Sequence, residues 1–132
     1  MTPSPNLRTV GRNRWNLALR FLLEVAVLVA VGVVAWTRLD GAARWVGVVG
    51  GPVALMAVWG TFNVPGDPTR GGGAPVGVSG RTRLVVEIAY FSIGAVAIAV
   101  SAGSLWAAVA FAVMVVFHYV LSLDRVGWLL TK

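Results

Sequence analysis

Arg20-Phe21-Leu22-Leu23-Glu24-Val25-Ala26 opens one apolar stretch of this chain, and Arg83-Leu84-Val85-Val86-Glu87-Ile88-Ala89 opens another. Each copy places an arginine and a glutamate four residues apart, one turn of helix, among residues that belong in hydrocarbon. Ionisable groups inside an apolar segment are costly and mark a functional position by default. These two stretches decide the class of fold, and the rest of the chain is read outward from them.

Hydrophobic residues make up 58% of the 132 residues and charged residues only 12%. A soluble domain carries about 25% charged residues, so the composition points to an integral membrane protein in contact with the lipid bilayer. Four apolar segments are long enough for helices that cross it: Trp15 to Thr37, Trp45 to Phe62, Leu84 to Val100 and Leu105 to Leu123. The expected fold is all-α, a four-helix transmembrane bundle over 15–132, preceded by a polar tail over 1–14. The first apolar run exceeds the core of a signal peptide, about 7–15 residues, and is expected to stay in the chain.

Six tryptophans, Trp15, Trp36, Trp45, Trp59, Trp106 and Trp128, fall near predicted segment ends, where amphipathic indoles collect. The tail, the second loop and the C-terminus carry Arg8, Arg12, Arg14, Arg20, Arg70, Arg81, Arg83, Arg125 and Lys132; the opposite side carries Arg38 and Arg44. The positive-inside rule then places the protein in the cell membrane with both termini cytoplasmic. The net charge of +6 reads as this topology signal and not as a nucleic-acid patch.

Short first and third loops predict two helical hairpins. Between them, 63–82 holds Pro65-Gly66-Asp67-Pro68 and a glycine run from Gly71, and reads as a flexible linker. Each motif copy opens its hairpin from the same side, a parallel repeat about the membrane normal. No cysteine is present, which excludes disulfides and thiol chemistry. The glycine-rich segment lacks the lysine of a phosphate-binding loop, and a single histidine without cysteine partners is weak as a metal ligand, so no metal or cofactor is expected.

The candidate chemistry lies with Glu24 and Glu87 as paired carboxylates, Arg20 and Arg83 as their partners, and His118 as a proton relay. Because arginine before glutamate is the weaker order within one helix, pairing across the repeats is expected: Arg20 with Glu87 and Arg83 with Glu24. Asn16, one turn before Arg20, is expected to cap the first helix or meet a headgroup; Trp59 and Tyr119 complete the substrate-binding set. Three readings stay open. The cluster binds or converts a lipophilic small molecule by acid–base chemistry; it belongs to a small proton-coupled transporter, homo-oligomeric because the bundle is small; or it is the ion-pair knot of an accessory subunit. Small residues at Gly50-Gly51-Pro52 and at Gly94, Ala97 and Ser101 suggest close helix packing.

Asn16-x-x-Leu19-Arg20-Phe21-x-x-Glu24, then Pro52, Trp59-Gly60-x-Phe62-x-x-Pro65 and Arg83-Leu84-x-x-Glu87, resembles the YrdB-like family of small bacterial membrane proteins. The resemblance covers about 16–123, and the glycine-rich stretch after Pro68 departs from it. It implies a four-helix membrane domain and singles out Asn16, Arg20, Glu24, Trp59 and Glu87.

Overall fold

The computed structural model describes residues 13–70 and 73–132. Most of the expected N-terminal tail, and residues 71–72 of the glycine run, lie outside the described residues.

Five helices account for most of the described chain, as expected of an all-α protein. Asn13 starts α1, Arg14–Arg38, by accepting the backbone N–H groups of Trp15 and Asn16 at 3.0 and 3.4 Å. Helix α2, Gly41–Thr61, follows a two-residue connection and runs through Pro52. Ser79 caps α3, Gly80–Ala102, through the N–H of Thr82 at 3.2 Å. Gly103, at φ +60°, ends that helix in the left-handed conformation that glycine adopts without Cβ strain. Helix α4, Leu105–Leu121, is followed at Ser122 by α5, Leu123–Leu130, bent away by 71°.

The buried positions of α1 include Asn16, Arg20, Leu23, Val27 and Ala30, alternating steps of four and three. Those of α3 include Gly80, Arg83, Glu87, Tyr90, Gly94 and Ala97, with the same alternation. This spacing puts one stripe of each helix against the other. Arg20 meets Glu87, Glu24 meets Tyr90 and Val27 meets Gly94, so the two helices run in the same direction. A side chain on Gly94 would collide with Val27. Helix α2 runs the other way along α1: a Cβ on Gly51 would sit 3.0 Å from Val31, and one on Gly47 would sit 2.9 Å from Ala35. Helix α1 is central, packing as extensively on α3 as on α2.

The interior is divided along its length. One half is an apolar and aromatic core of Leu23, Val27, Trp59, Tyr90, Phe91 and Phe111. At the end where α1 and α3 begin and α4 finishes, the buried polar and charged residues gather, among them Asn16, Arg20, Arg83, Glu87, His118 and Arg125, with Val64 and Leu129 buried beside them. The outside is apolar; Val29, Val46, Val85, Val96, Val113 and Val116 are each at least 60% exposed. Helices α1, α2 and α3 are long and apolar enough to cross a membrane, and α4 with α5 makes a fourth if the bent pair is one span.

One feature differs from the sequence reading. The segment after α2 is not a slack linker. Its first residues, Phe62–Asn63 (β1), pair in parallel with Val76–Gly77 (β2), and Asn63, Val64 and Asp67 are buried. Proline and glycine end the helix as expected, but an aspartate two residues past Pro65 finds a cation inside the bundle. The C-terminal residues are likewise packed: Gly80 lies so close to the Leu129 carbonyl that any side chain there would collide with it. Its N–H donates to the Lys132 carbonyl at 3.3 Å.

Candidate functional site

Glu87 is the centre of the polar end. Its Oε1 accepts from Arg83 Nε at 2.9 Å, Arg125 Nη2 at 2.8 Å and Arg20 Nη2 at 3.5 Å. Its Oε2 accepts from the Tyr119 hydroxyl at 2.9 Å and Arg125 Nη1 at 3.2 Å. Arg125 therefore grips the carboxylate with both arms of its fork, the geometry in which a guanidinium binds most strongly. Burial of a lone carboxylate would be prohibitive, and these donors are what make the position tenable.

Both copies of the motif close their own one-turn ion pair, Arg20 with Glu24 at 3.0 Å and Arg83 with Glu87 at 2.9 Å. Of the two cross-pairs expected from sequence, Arg20 with Glu87 forms. Arg83 with Glu24 does not, because Arg83 Nη1 instead donates to the carbonyls of Trp59 and Phe62 at 2.8 and 2.7 Å. Those carbonyls end α2, where the last turn has no helical partners for its C=O groups. Arg83 thus ties the end of α2 to the start of α3.

The loop supplies a group that the motif reading did not include. Asp67 Oδ2 accepts from Arg125 Nη2 at 2.7 Å, and Asp67 Oδ1 accepts from the N–H and hydroxyl of Thr69 at 2.9 and 2.8 Å. Burial pushes the Asp67 carboxyl up, but the hydrogen bond and charge of Arg125, with help from Thr69, more than offset this and hold it below its ordinary 3.8. Arg125 and Asp67 were legible only as a helix flank and a turn residue. The spacing of His118, Ser122 and Arg125, steps of four and three, does not supply the missing signal, because the helix breaks at Ser122 and Arg125 lies on α5, bent away by 71°.

Trp59 lies under three guanidinium groups, those of Arg83, Arg20 and Arg70, at 4.3, 5.3 and 5.8 Å from its ring centroid. It also stacks on Tyr90 at 4.5 Å. An indole face attracts cations, most strongly when water is displaced, so Trp59 fixes where these charges sit. Beside it opens a cavity of about 360 Å³ between α1, the end of α2 and the loop, lined by Arg20, Phe21, Glu24, Trp59, Asn63 and Arg70 among others. Arg70 makes no ion pair among the described residues. Burial, and then the charges of Arg83 and Arg20, push its pKa down to about 10.

Asn16, His118 and Tyr119 stand on the far side of the cluster and do not line this cavity. Asn16 is buried and neither caps α1 nor faces outward: Asn13 takes the cap, and Asn16 Nδ2 donates to Ser122 Oγ at 2.5 Å. Its Oδ1 lies 2.7 Å from His118 Nδ1, which therefore carries the proton. The three residues tie the start of α1 to the end of α4. Among the described residues no three of His, Asp or Glu converge as a metal site.

An apolar helical exterior, an arginine–carboxylate cluster closing one end and a cavity beside it define a small all-helical protein of membrane-span character. The chain belongs to the family described as protein of unknown function (DUF2568), whose model matches residues 18–116. It is 38% identical over 120 residues to the protein described as uncharacterized protein YrdB of Bacillus subtilis (strain 168), covering 91% of this chain and 97% of that one. The match covers most of the segment in which the sequence motifs resemble that family. No solved structure matches the chain.

Proposed function

We propose that this protein crosses the cell membrane four times as two hairpins in parallel repeat, both termini cytoplasmic, and binds a lipophilic small molecule beside its charged cluster. The carrying observation is the cavity: it joins the guanidinium groups of Arg20 and Arg70 to apolar Leu17 and Phe21 at the rim of an apolar bundle. A charged wall that continues into an apolar one suits an amphiphile. The parallel repeat is supported by the two motif copies, which open α1 and α3 at the same end.

Binding is favoured over acid–base conversion. Conversion by paired carboxylates needs both in reach of the substrate, but only Glu24 lines the cavity, and both Glu87 oxygens are occupied by donors. That same saturation favours a second reading, an ion-pair knot that serves assembly alone.

The full chain in an uncharged detergent should bind at least one amphiphile saturably from a panel of neutral, zwitterionic and anionic short-chain compounds. Nothing lies within 4 Å of a Cβ built on Gly60, which lines the cavity, so Gly60→Phe should fold and abolish that binding. If no compound binds, or the filled variant binds equally well, the knot reading takes over. For topology, a reporter after Lys132 should read cytoplasmic and one near Asp40 external; the reverse would overturn the charge argument.

A further inference from the structure

Helix α5 leaves the direction of the spans at Ser122. Its axis turns by 71° from that of α4, so it runs more nearly across the bundle than along it. Helix α4 does not need α5 in order to cross. Its 17 residues reach the short end of the range for a transmembrane helix, about 17–25 residues.

The inner face of α5 is fixed by the bundle. Arg125 and Leu129, one turn apart, are 1% and 0% exposed. The Arg125 guanidinium reaches Asp67 and Glu87, and the Leu129 backbone lies against Gly80 of α3. Two contacts separated along the helix set its rotation about its own axis, so its remaining sides also have fixed directions.

Those sides differ in chemistry. At about 100° per residue, Val126, Leu130 and Leu123 fall to one side of the inner face, and Trp128, Asp124 and Thr131 fall to the other. Leu123 is 64% exposed and Leu130 is 53% exposed, with Val126 half-buried between them. Asp124 and Thr131 are exposed on the polar side, and Lys132 Nζ stands 5.3 Å from the Trp128 ring centroid. An indole paired with a cation suits the headgroup level of a bilayer. A helix apolar along one side and polar along the other, turned out of the spans at their end, has the build of an interfacial helix. Continuity identifies what covers the apolar side. Phe117, Val120 and Leu121 carry the exposed apolar exterior of α4 up to the bend, and Leu123 takes it up two residues later.

We propose that α5 lies in the plane of the membrane at its cytoplasmic surface, with Leu123, Val126 and Leu130 seated at the boundary of headgroups and acyl chains and Asp124, Thr131 and Lys132 toward water. The fourth crossing is then α4 alone. The inference rests on the membrane-crossing reading above and is independent of the cavity.

The test is site-directed spin labelling. The chain has no cysteine, so single cysteine variants of the full chain take one nitroxide each. They are reconstituted in vesicles of phosphatidylcholine with a minority of phosphatidylglycerol. Labels on Leu123→Cys and Leu130→Cys should collide with oxygen in preference to a water-soluble nickel chelate. Labels on Asp124→Cys and Thr131→Cys should show the reverse preference. Val113→Cys on α4 is the hydrocarbon reference, and Asp40→Cys, between α1 and α2, is the water reference. The two leucine positions should lie about 5–10 Å into the boundary region. Their depths should differ by about 3 Å, which is a seven-residue rise of about 10 Å projected at the 71° bend. A depth difference of the full rise would make α5 run along the membrane normal and overturn the proposal. Preference for nickel at all four α5 positions would place the helix in water and overturn it while the spans stand. Immobile leucine-site labels shielded from both reagents would mean that another protein surface covers this side, which overturns it too. If Val113→Cys reads as water-exposed, the membrane-crossing reading falls as well. Should a leucine variant fail to insert, Val126→Cys, on the same side of α5, replaces it and carries the same expectation.

Discussion

Arg20–Glu24 and Arg83–Glu87 share a spacing, a local helix and an ion-pair length of 3.0 and 2.9 Å, yet their surroundings differ completely. The second glutamate side chain is 1% exposed and gathers three arginines and a tyrosine. The first is 22% exposed, pairs with one arginine and borders a cavity. The cause lies outside both motifs. Arg125 and Asp67 close over the second copy, while the first faces Trp59 and Arg70, which makes no ion pair among the described residues. A duplicated local geometry thus becomes a buried ion-pair centre in one place and the wall of a cavity in the other, according to what packs on top of it.

The largest test of that contrast is substitution of the glutamates. Glu87→Gln leaves three buried arginines short of a counter-charge, and loss of one partner from a buried network costs about 3–5 kcal/mol. Glu24→Gln removes one partly exposed pair and should cost under about 1 kcal/mol. Unfolding in mixed detergent micelles measures both, and equal losses would break the comparison. In a double-mutant cycle, Arg125→Gln and Asp67→Asn should couple by about 0.5–3 kcal/mol; additive effects would show that the loop does not anchor the second copy.

A second test separates the copies physically. Gly94→Leu forces a side chain into Val27 and should cost about 1–3 kcal/mol by overpacking. It should loosen the contact between Arg20 and Glu87 while both one-turn pairs survive. Gly51→Leu meets only Val31, at 3.0 Å, and should cost less and leave Arg20–Glu87 intact. Thermal stability ranks the two variants, and a larger loss for Gly51→Leu would place the critical seam between α1 and α2.

The smallest expected effect is in pH. Asp67 has a carboxyl lowered below 3.8, so its contribution is complete above that value and is lost as pH falls toward the folded value. Asp67→Asn should therefore destabilise the protein at neutral pH and flatten the acid limb of its stability curve. An unchanged acid limb would mean that the Arg125 contact does not stabilise the loop.

Much of this molecule was written locally. The apolar segments and the importance of Arg20, Glu24, Arg83 and Glu87 follow from hydropathy and helical period, which depend on near neighbours. Sequence also marked Trp59, though as an interfacial indole and not as the platform under three guanidinium groups.

Arg70, Arg83 and Arg125 show where that reading stops. Arg70 and Arg125 counted only toward a basic flank, a sum over one side of the chain that says nothing about individual partners, and Arg83 was matched with Glu24. The structure places Arg83 on the end of α2 and Arg125 on Asp67 and Glu87, distant in sequence, and leaves Arg70 without an ion pair among the described residues. The same holds for Asn16, which its position marked as a cap and which the bend at Ser122 turned into a buried link to α4. The sequence by itself determined which segments are helical and that charge would be buried near their ends, because those properties are set by composition and period. Only the tertiary structure decided which charges pair with which, because Coulomb and hydrogen-bond energies depend on distances of a few ångströms between residues far apart along the chain.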